Sequence, residues 1–442
     1  MTSVFWLLCL FLFQVSCASY LLDETQEEIK DAVYDQRYSE AIVSLEESKK
    51  KEIYKEKDSI LWNLEMGMLN HYNGAYEESN MYFSDAEIAI EQAFTKSVSR
   101  GVYAFLGNDN QLQYDGEPYE EFYLHAFKAL NYIHLNKIDA SLVEIRKMVY
   151  KIDQLNTRLR GLADTYASLD TLDSSIAWDT KDINVQNSPF ARYLAANLFA
   201  ALGIVDAARI EREQFNKAMN EHYNLINFWS QSDTSLTQSN RNITPEWNLG
   251  PNNNVLLLSF TGMAPEKIQQ DLRVYNEYWE TELKVTLPIL NPYRSEIMRV
   301  QIWVEDSLIG HSILLESMHK VAQEVYTSKM PIIYGRAVLR AISKYSGTRW
   351  VENMPEEENS FFTHALEFAG DLYKEVSEKA DLRSWSSLPG NVFTHAFQLD
   401  PGSYEIEIRY INKQGLPIYS EFRDVQINQR QSVHLLETHL AY

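Results

Sequence analysis

The stretch Trp62–Glu87, WNLEMGMLNHYNGAYEESNMYFSDAE, admits few folds. Its apolar residues recur at helical spacing on both sides of Asn73-Gly74, which reads as two antiparallel helices joined by a tight turn. Glycine at the corner takes backbone angles that other residues adopt only at a cost. Gly67 lies mid-way along the first helix, where a missing side chain lets the second helix approach. Tyr76, Ser79, Phe83 and Ala86 then place large and small residues in turn on one face of the second helix. Such a hairpin cannot bury its apolar face alone, so it requires stacked neighbours.

The chain supplies them. Tyr38, Ala41 and Leu45 repeat the offsets of Tyr76, Ser79 and Phe83, as do Ile138, Ser141 and Ile145, and more weakly Val205, Ala208 and Arg212. The turns ahead of them are Tyr34-Asp35-Gln36-Arg37, Asn73-Gly74-Ala75, Asn136-Lys137 and Leu202-Gly203. This alternation resembles the tetratricopeptide repeat (TPR), here degenerate and unequally spaced.

Ser230–Asn254 is rich in Ser, Thr, Asn and Gln and reads as a linker. Beyond it the period changes to that of strands, in Val255–Phe260, Leu283–Ile289 and Met298–Val304. Gly310–Lys344 returns to helical spacing, broken by Pro331, and Phe361–Lys379 predicts another helix. From Asn391 strands return, with turns at Pro401-Gly402 and Gly415. The expected fold class is α+β: a TPR-like helical domain over 18–229, a linker over 230–254, a mixed α/β domain over 255–390 and an antiparallel β module over 391–442.

Val4–Val15 is an apolar run of signal-peptide length, short for a membrane span. Of the two cysteines, Cys9 lies in this run and Cys17 at its end. Cys17 resembles the lipidated cysteine of a bacterial lipobox, although Gln14 stands where Leu is usual; cleavage after Ala18 is the alternative. Two cysteines in a leader leave the rest of the chain without disulfides. A net charge of −22 disfavours nucleic acid and anionic membrane surfaces as partners.

The ordered series YDGEPYEEFYLHAFKALNYI, FTGMAPEK, MPIIYGRAVLRAISK, ADLRSWSSLPGNVF and LDPGSYEIEIRY is similar to a family of bacterial envelope lipoproteins with TPR-like helices followed by a mixed domain. The resemblance implies export, a lipid anchor in the cell envelope and no particular reaction.

Tyr114, Tyr119 and Tyr123 lie in and beside the polar stretch Gly107–Glu121, where exposed rings would form a partner-binding surface; tucked against a helix they would be structural. Arg336, Arg340 and Lys344 form a cationic helix stripe suited to a carboxylate or phosphate, or to the chain's own acids. Asp381, Arg383 and Trp385 form a polar-aromatic cluster that would bind a ligand or clamp helix to sheet. Gly262 ends a strand before an expected helix without a P-loop sequence. Glu120, Glu121 and His125 offer metal-ligand spacing without a second His or Cys, so no metal or cofactor is expected. No nucleophile motif occurs. The expected function is a non-enzymatic scaffold contacting other envelope proteins through its TPR-like surface. The alternative is a binder of, or enzyme on, a cell-wall sugar or peptide.

Overall fold

The computed structural model describes residues 22, 24–99, 113–167, 188–229, 254–276, 281–291, 295–327, 329–330, 333, 382–428 and 434–442. The leader with Cys17, the linker over 230–253, the stretch 334–381 with Arg336, Arg340, Lys344 and Asp381, and the helix expected over 361–379 lie outside the described residues.

Eight helices pair into four hairpins: α1 (24–34) with α2 (Tyr38–Lys50), α3 (Ser59–Tyr72) with α4 (Tyr76–Ser99), α5 (Pro118–His134) with α6 (Ile138–Ala167), and α7 (Pro189–Ala201) with α8 (Val205–Trp229). All four turns are built alike. Gln36, Gly74, Asn136 and Gly203 have φ of 56°, 77°, 56° and 70°. The residue after each donates back across the turn, Arg37 N to Ala32 O at 2.7 Å, Ala75 N to Asn70 O at 2.9 Å, Lys137 N to Tyr132 O at 2.8 Å and Ile204 N to Phe199 O at 2.9 Å. This left-handed cap ends the first helix and launches the second in a fixed direction. The repeated offsets therefore mark the same place four times: Ala41, Ser79, Ser141 and Ala208 are all buried, as are Leu45, Phe83 and Ile145. The fourth unit departs. Arg212 is exposed and Phe215, one turn on, fills the core instead.

The second half builds two four-stranded sheets. The first has the order β10 (His434–Leu440), β1 (Val255–Met263), β7 (Pro389–Phe397), β6 (Ile313–Ser317); β10 runs parallel to β1 and the other pairs are antiparallel. The second, wholly antiparallel, has the order β5 (Ser307–His311), β4 (Ile297–Val304), β8 (Gly402–Asn412), β9 (Pro417–Ile427). An arm of β2 (Glu266–Asn276) and β3 (Thr281–Asn291) stands apart in pairing. Strand alternation sorts β1 between two cores. Val255 and Leu257 face the second sheet with Phe393, Ile406 and Ile408, while Leu256, Leu258 and Phe260 join the core of the helical hairpins. The layers are helices, first sheet, second sheet.

Three local expectations change. Residues 310–311 and 313–317 are strand, and the helical part of the described stretch begins at Met318 with α9 (318–327). Gly262 (φ 63°) leads into strand β2, so no helix N-terminus faces an anion there. The strands after 391 pair across the boundary drawn for them, β7 and β10 with β1 and β8 with β4. No described helix is long and apolar enough to cross a membrane.

Candidate functional site

The three tyrosines are not a surface. Pro118 at the first position of α5, with a capping box between Glu117 and Glu120, starts the helix inside the stretch read as a loop. Tyr119 and Tyr123 then fall one turn apart on a helix buried from Tyr119 to Asn131. Tyr114 is buried too, its hydroxyl donating to Glu120 at 2.8 Å. The Tyr123 hydroxyl donates to Glu316 on β6.

Arg383 and Trp385 are likewise internal. The segment 382–388 inserts between the helices and the first sheet, where three buried carboxylates hold it. Asp58 accepts from Arg383 Nη1 at 2.8 Å. Glu120 accepts from the Trp385 amide at 3.0 Å. Glu65 accepts from the Ser386 amide and hydroxyl at 2.7 and 2.8 Å and from the Ser387 amide at 3.2 Å, with the Ser387 hydroxyl completing the set. Burial pushes Glu65 up, against these donors, and burial beside Glu117 pushes Glu120 up to about 7. The Trp385 ring packs edge-on to Phe83 at 5.7 Å and Phe127 at 6.3 Å. This is a clamp between helices and sheet, leaving neither Arg383 nor Trp385 open to a ligand. The perturbed carboxylates of this segment, Glu65 and Glu120, are both engaged by the chain's own donors.

A second network ties hairpins two and three to β10. Ser79 Oγ donates to Gly67 O at 2.6 Å, and Asn131 Nδ2 donates to Ser79 Oγ at 2.8 Å and Asn80 Oδ1 at 3.0 Å. That orientation leaves Asn131 Oδ1 to accept from His71 Nδ1 at 2.6 Å, while His71 Nε2 donates to Glu437 at 2.5 Å. Both ring nitrogens thus face acceptors, an arrangement that favours the imidazolium. Burial opposes that charge, but Glu437 raises the His71 pKa above its ordinary value. Burial also opposes the Glu437 charge, yet His71 and His134, the latter 2.8 Å away, hold that carboxyl well below the usual range.

Glu87, His125 and Glu144 are the one group of potential metal ligands among the described residues, and Glu120 and Glu121 do not join it. His125 Nδ1 lies 2.7 Å from Glu144 Oε2, and its Nε2 makes no hydrogen bond, lying 4.0 Å from Glu87 Oε1. Lys128 and Lys147 each lie 2.8 Å from Glu87, and 3.4 and 3.5 Å from Glu144. Two ammonium groups already balance two carboxylates, so a dication would bring two uncompensated charges into a buried place. The cluster is an ion-pair joint between α4, α5 and α6.

With its inner face sealed by the first sheet and the 382–388 segment, the hairpin array leaves its outer helices open. Val43, Met81, Val143 and Ile210 are 55%, 52%, 50% and 47% exposed. Each is the sixth residue of its helix, counted from Tyr38, Tyr76, Ile138 and Val205. One turn pair further on, Ile88 and Tyr150 are exposed as well. The same turn that buries the small residues thus carries an apolar side chain outward at one level in every unit. No protein-family model, curated protein or solved structure matches the chain. The outer row is therefore read on its own physical terms. Sequence reading missed it because exposure depends on which helix face the neighbouring hairpin covers, although the repeated offset was there to be counted.

Proposed function

We propose that the protein is a non-enzymatic scaffold of the cell envelope, exported and lipid-anchored at Cys17, that binds other envelope proteins through the outer face of its helical hairpins. One observation carries this reading: four successive outer helices expose an apolar residue at the same position, while the inner face is filled by the chain's own sheet. Helical arrays offer extended surfaces for protein contact, and repeated exposed apolar residues on a folded chain mark such contacts. The anchor rests on the apolar run ending at Cys17.

The test is a photo-crosslinking residue placed at 43, 81, 143 or 210 in whole envelopes, with Gln426 on the second sheet as the control position. The expected result is a discrete adduct from the outer row and none from 426. Adducts absent from all four row positions overturn the reading. For the anchor, Cys17→Ala should move the protein from the membrane to the soluble fraction and abolish labelling by a fatty-acid probe.

A further inference from the structure

The outer row is not electrically uniform, and this points to the chemistry of what docks there. On α2 and α4 the exposed apolar residues sit among acids: Glu46 and Glu47 lie one turn beyond Val43, and Glu78 and Asp85 lie one turn on either side of Met81. Glu47 has Lys51 as its partner at 3.2 Å, and Glu77 has Lys137 at 2.7 Å. Glu46, Glu78 and Asp85 make no ion-pair contact among the described residues, and only Asp85 has a cation acting on it, Lys49, whose charge it favours against burial. All three act on one point. Tyr82, partly buried, has its phenol raised by burial and then by Glu46, Asp85 and Glu78 in that order. The ring meets Trp62 edge-on at 5.4 Å, and Lys49 lies over that indole at 3.4 Å. Tyr82 thus stands at the junction of α2, α3 and α4, with three carboxylates acting on it against the single ammonium of Lys49, while Val43, Met81 and Ile88 are exposed on the same two helices α2 and α4. Further along the array the pattern changes: Arg146 and Lys147 follow Val143 on α6.

We infer that the α2–α4 outer surface docks a cationic amphipathic helix of a partner protein, its apolar side on Val43, Met81 and Ile88 and its lysines or arginines on Glu46, Glu78 and Asp85. This deepens the scaffold reading and rests on it. The apolar spacing suits a helix, because residues two turns apart on α4, Met81 and Ile88 with Asp85 between, present ridges that another helix can straddle. Three carboxylates face one nearby ammonium, that of Lys49 beside Asp85, so the surface of the free protein keeps a net negative charge here. An incoming cationic helix neutralises that charge and raises its own association rate. A membrane surface rich in anionic lipid would be repelled by the same three groups.

The experiment measures binding of three synthetic helical peptides of leucine with lysine, glutamine or glutamate to the purified protein, by fluorescence anisotropy at low and high salt. The lysine peptide should bind, the glutamine peptide should bind at least tenfold more weakly, and the glutamate peptide should not bind. Glu46→Gln/Glu78→Gln/Asp85→Asn should weaken the lysine peptide on the order of tenfold, as three exposed ion pairs allow. A control with the same charge change on the second sheet, Asp400→Asn/Glu405→Gln/Asp424→Asn, should leave it within twofold. Met81→Ser/Ile88→Ser should weaken it while retaining the salt dependence. Equal loss in both neutralised variants shows non-specific charge attraction and overturns the inference, as does equal binding of the lysine and glutamine peptides. The crosslinking experiment separates the two readings: an adduct at position 81 whose partner offers no cationic helix removes this inference and leaves the scaffold, whereas no adduct at any row position removes the scaffold itself.

Discussion

The Phe83 ring lies so close to Gly67 that a Cβ added to the glycine would stand 2.5 Å from it. The two helices of hairpin two are joined at that point, with Ser79 donating to the Gly67 carbonyl beside it. Gly67→Ala should therefore cost about 1–3 kcal/mol through overpacking, and Phe83→Ala about 3–5 kcal/mol through the cavity it leaves. Combined as Gly67→Ala/Phe83→Ala, the losses should be less than additive, because removing the ring makes room for the new methyl. Urea denaturation of the three variants tests this; strict additivity would show that the contact is not tight.

Glu65 is a carboxylate that only donors surround. Glu65→Gln turns one acceptor oxygen into an NH2 group facing the amides and hydroxyls of Ser386 and Ser387. The expected cost is about 2–4 kcal/mol, since buried donors then lack acceptors. Near-ultraviolet circular dichroism should report the change through Trp385, the next residue along the clamp. A variant with wild-type melting and an unaltered tryptophan signal would contradict the clamp.

The His71–Glu437 pair gives stability a pH window. His71 has a folded pKa raised above 6.5, so its contribution is complete below 6.5 and is lost as pH rises through the raised value. Glu437 is depressed from 4.5, so its contribution is complete above 4.5 and is lost as pH falls toward the depressed value. The pair should contribute most between these limits. The melting temperature of wild type minus that of Glu437→Gln, followed across pH, should peak near pH 5–6 and decline on the alkaline side. A difference that is flat from pH 5 to 9 would show that His71 is neutral.

Lys128 is the buried one of the two cations in the Glu87–His125–Glu144 joint. Lys128→Met leaves Lys147 alone against two carboxylates and should cost about 3 kcal/mol, partly recovered by Glu87→Gln in the same chain. Chelator or added zinc should leave the wild-type melting temperature unchanged. A shift of several degrees with zinc would assign the cluster to a metal.

The hairpins were legible in the sequence because one turn geometry imposes one set of offsets, and Ala41, Ser79 and Ser141 announce it. The strands with one polar face, such as β4 and β8, were legible for the same reason of period. β2 was not, since Pro265 and a polar sequence suggest a helix start, and only pairing with β3 makes it a strand. The tyrosines near residue 114 misled because polar neighbours mark a surface only if no helix begins there, and Pro118 begins one. The working residues Glu65, Glu316 and Glu437 carried a signal that went unread: each is a lone carboxylate in an apolar stretch, in WNLEMGML, ILLES and HLLET. Their partners, hundreds of residues away, were beyond any local pattern.

β1 is buried along its whole length, and its two neighbours come from far downstream: Val255 pairs with Phe397 on one side and His434 on the other. At synthesis rates of roughly 5–20 residues per second, VLLLSFTGM waits on the order of ten seconds or more before its partner strands exist. During that interval it is an apolar, strand-forming segment with two open edges, and the hairpins' inner face has no sheet to cover it. Export in an unfolded state would postpone the same problem to the far side of the membrane. The arrangement that makes the finished molecule one body thus gives its nascent chain a lasting need for a holdase.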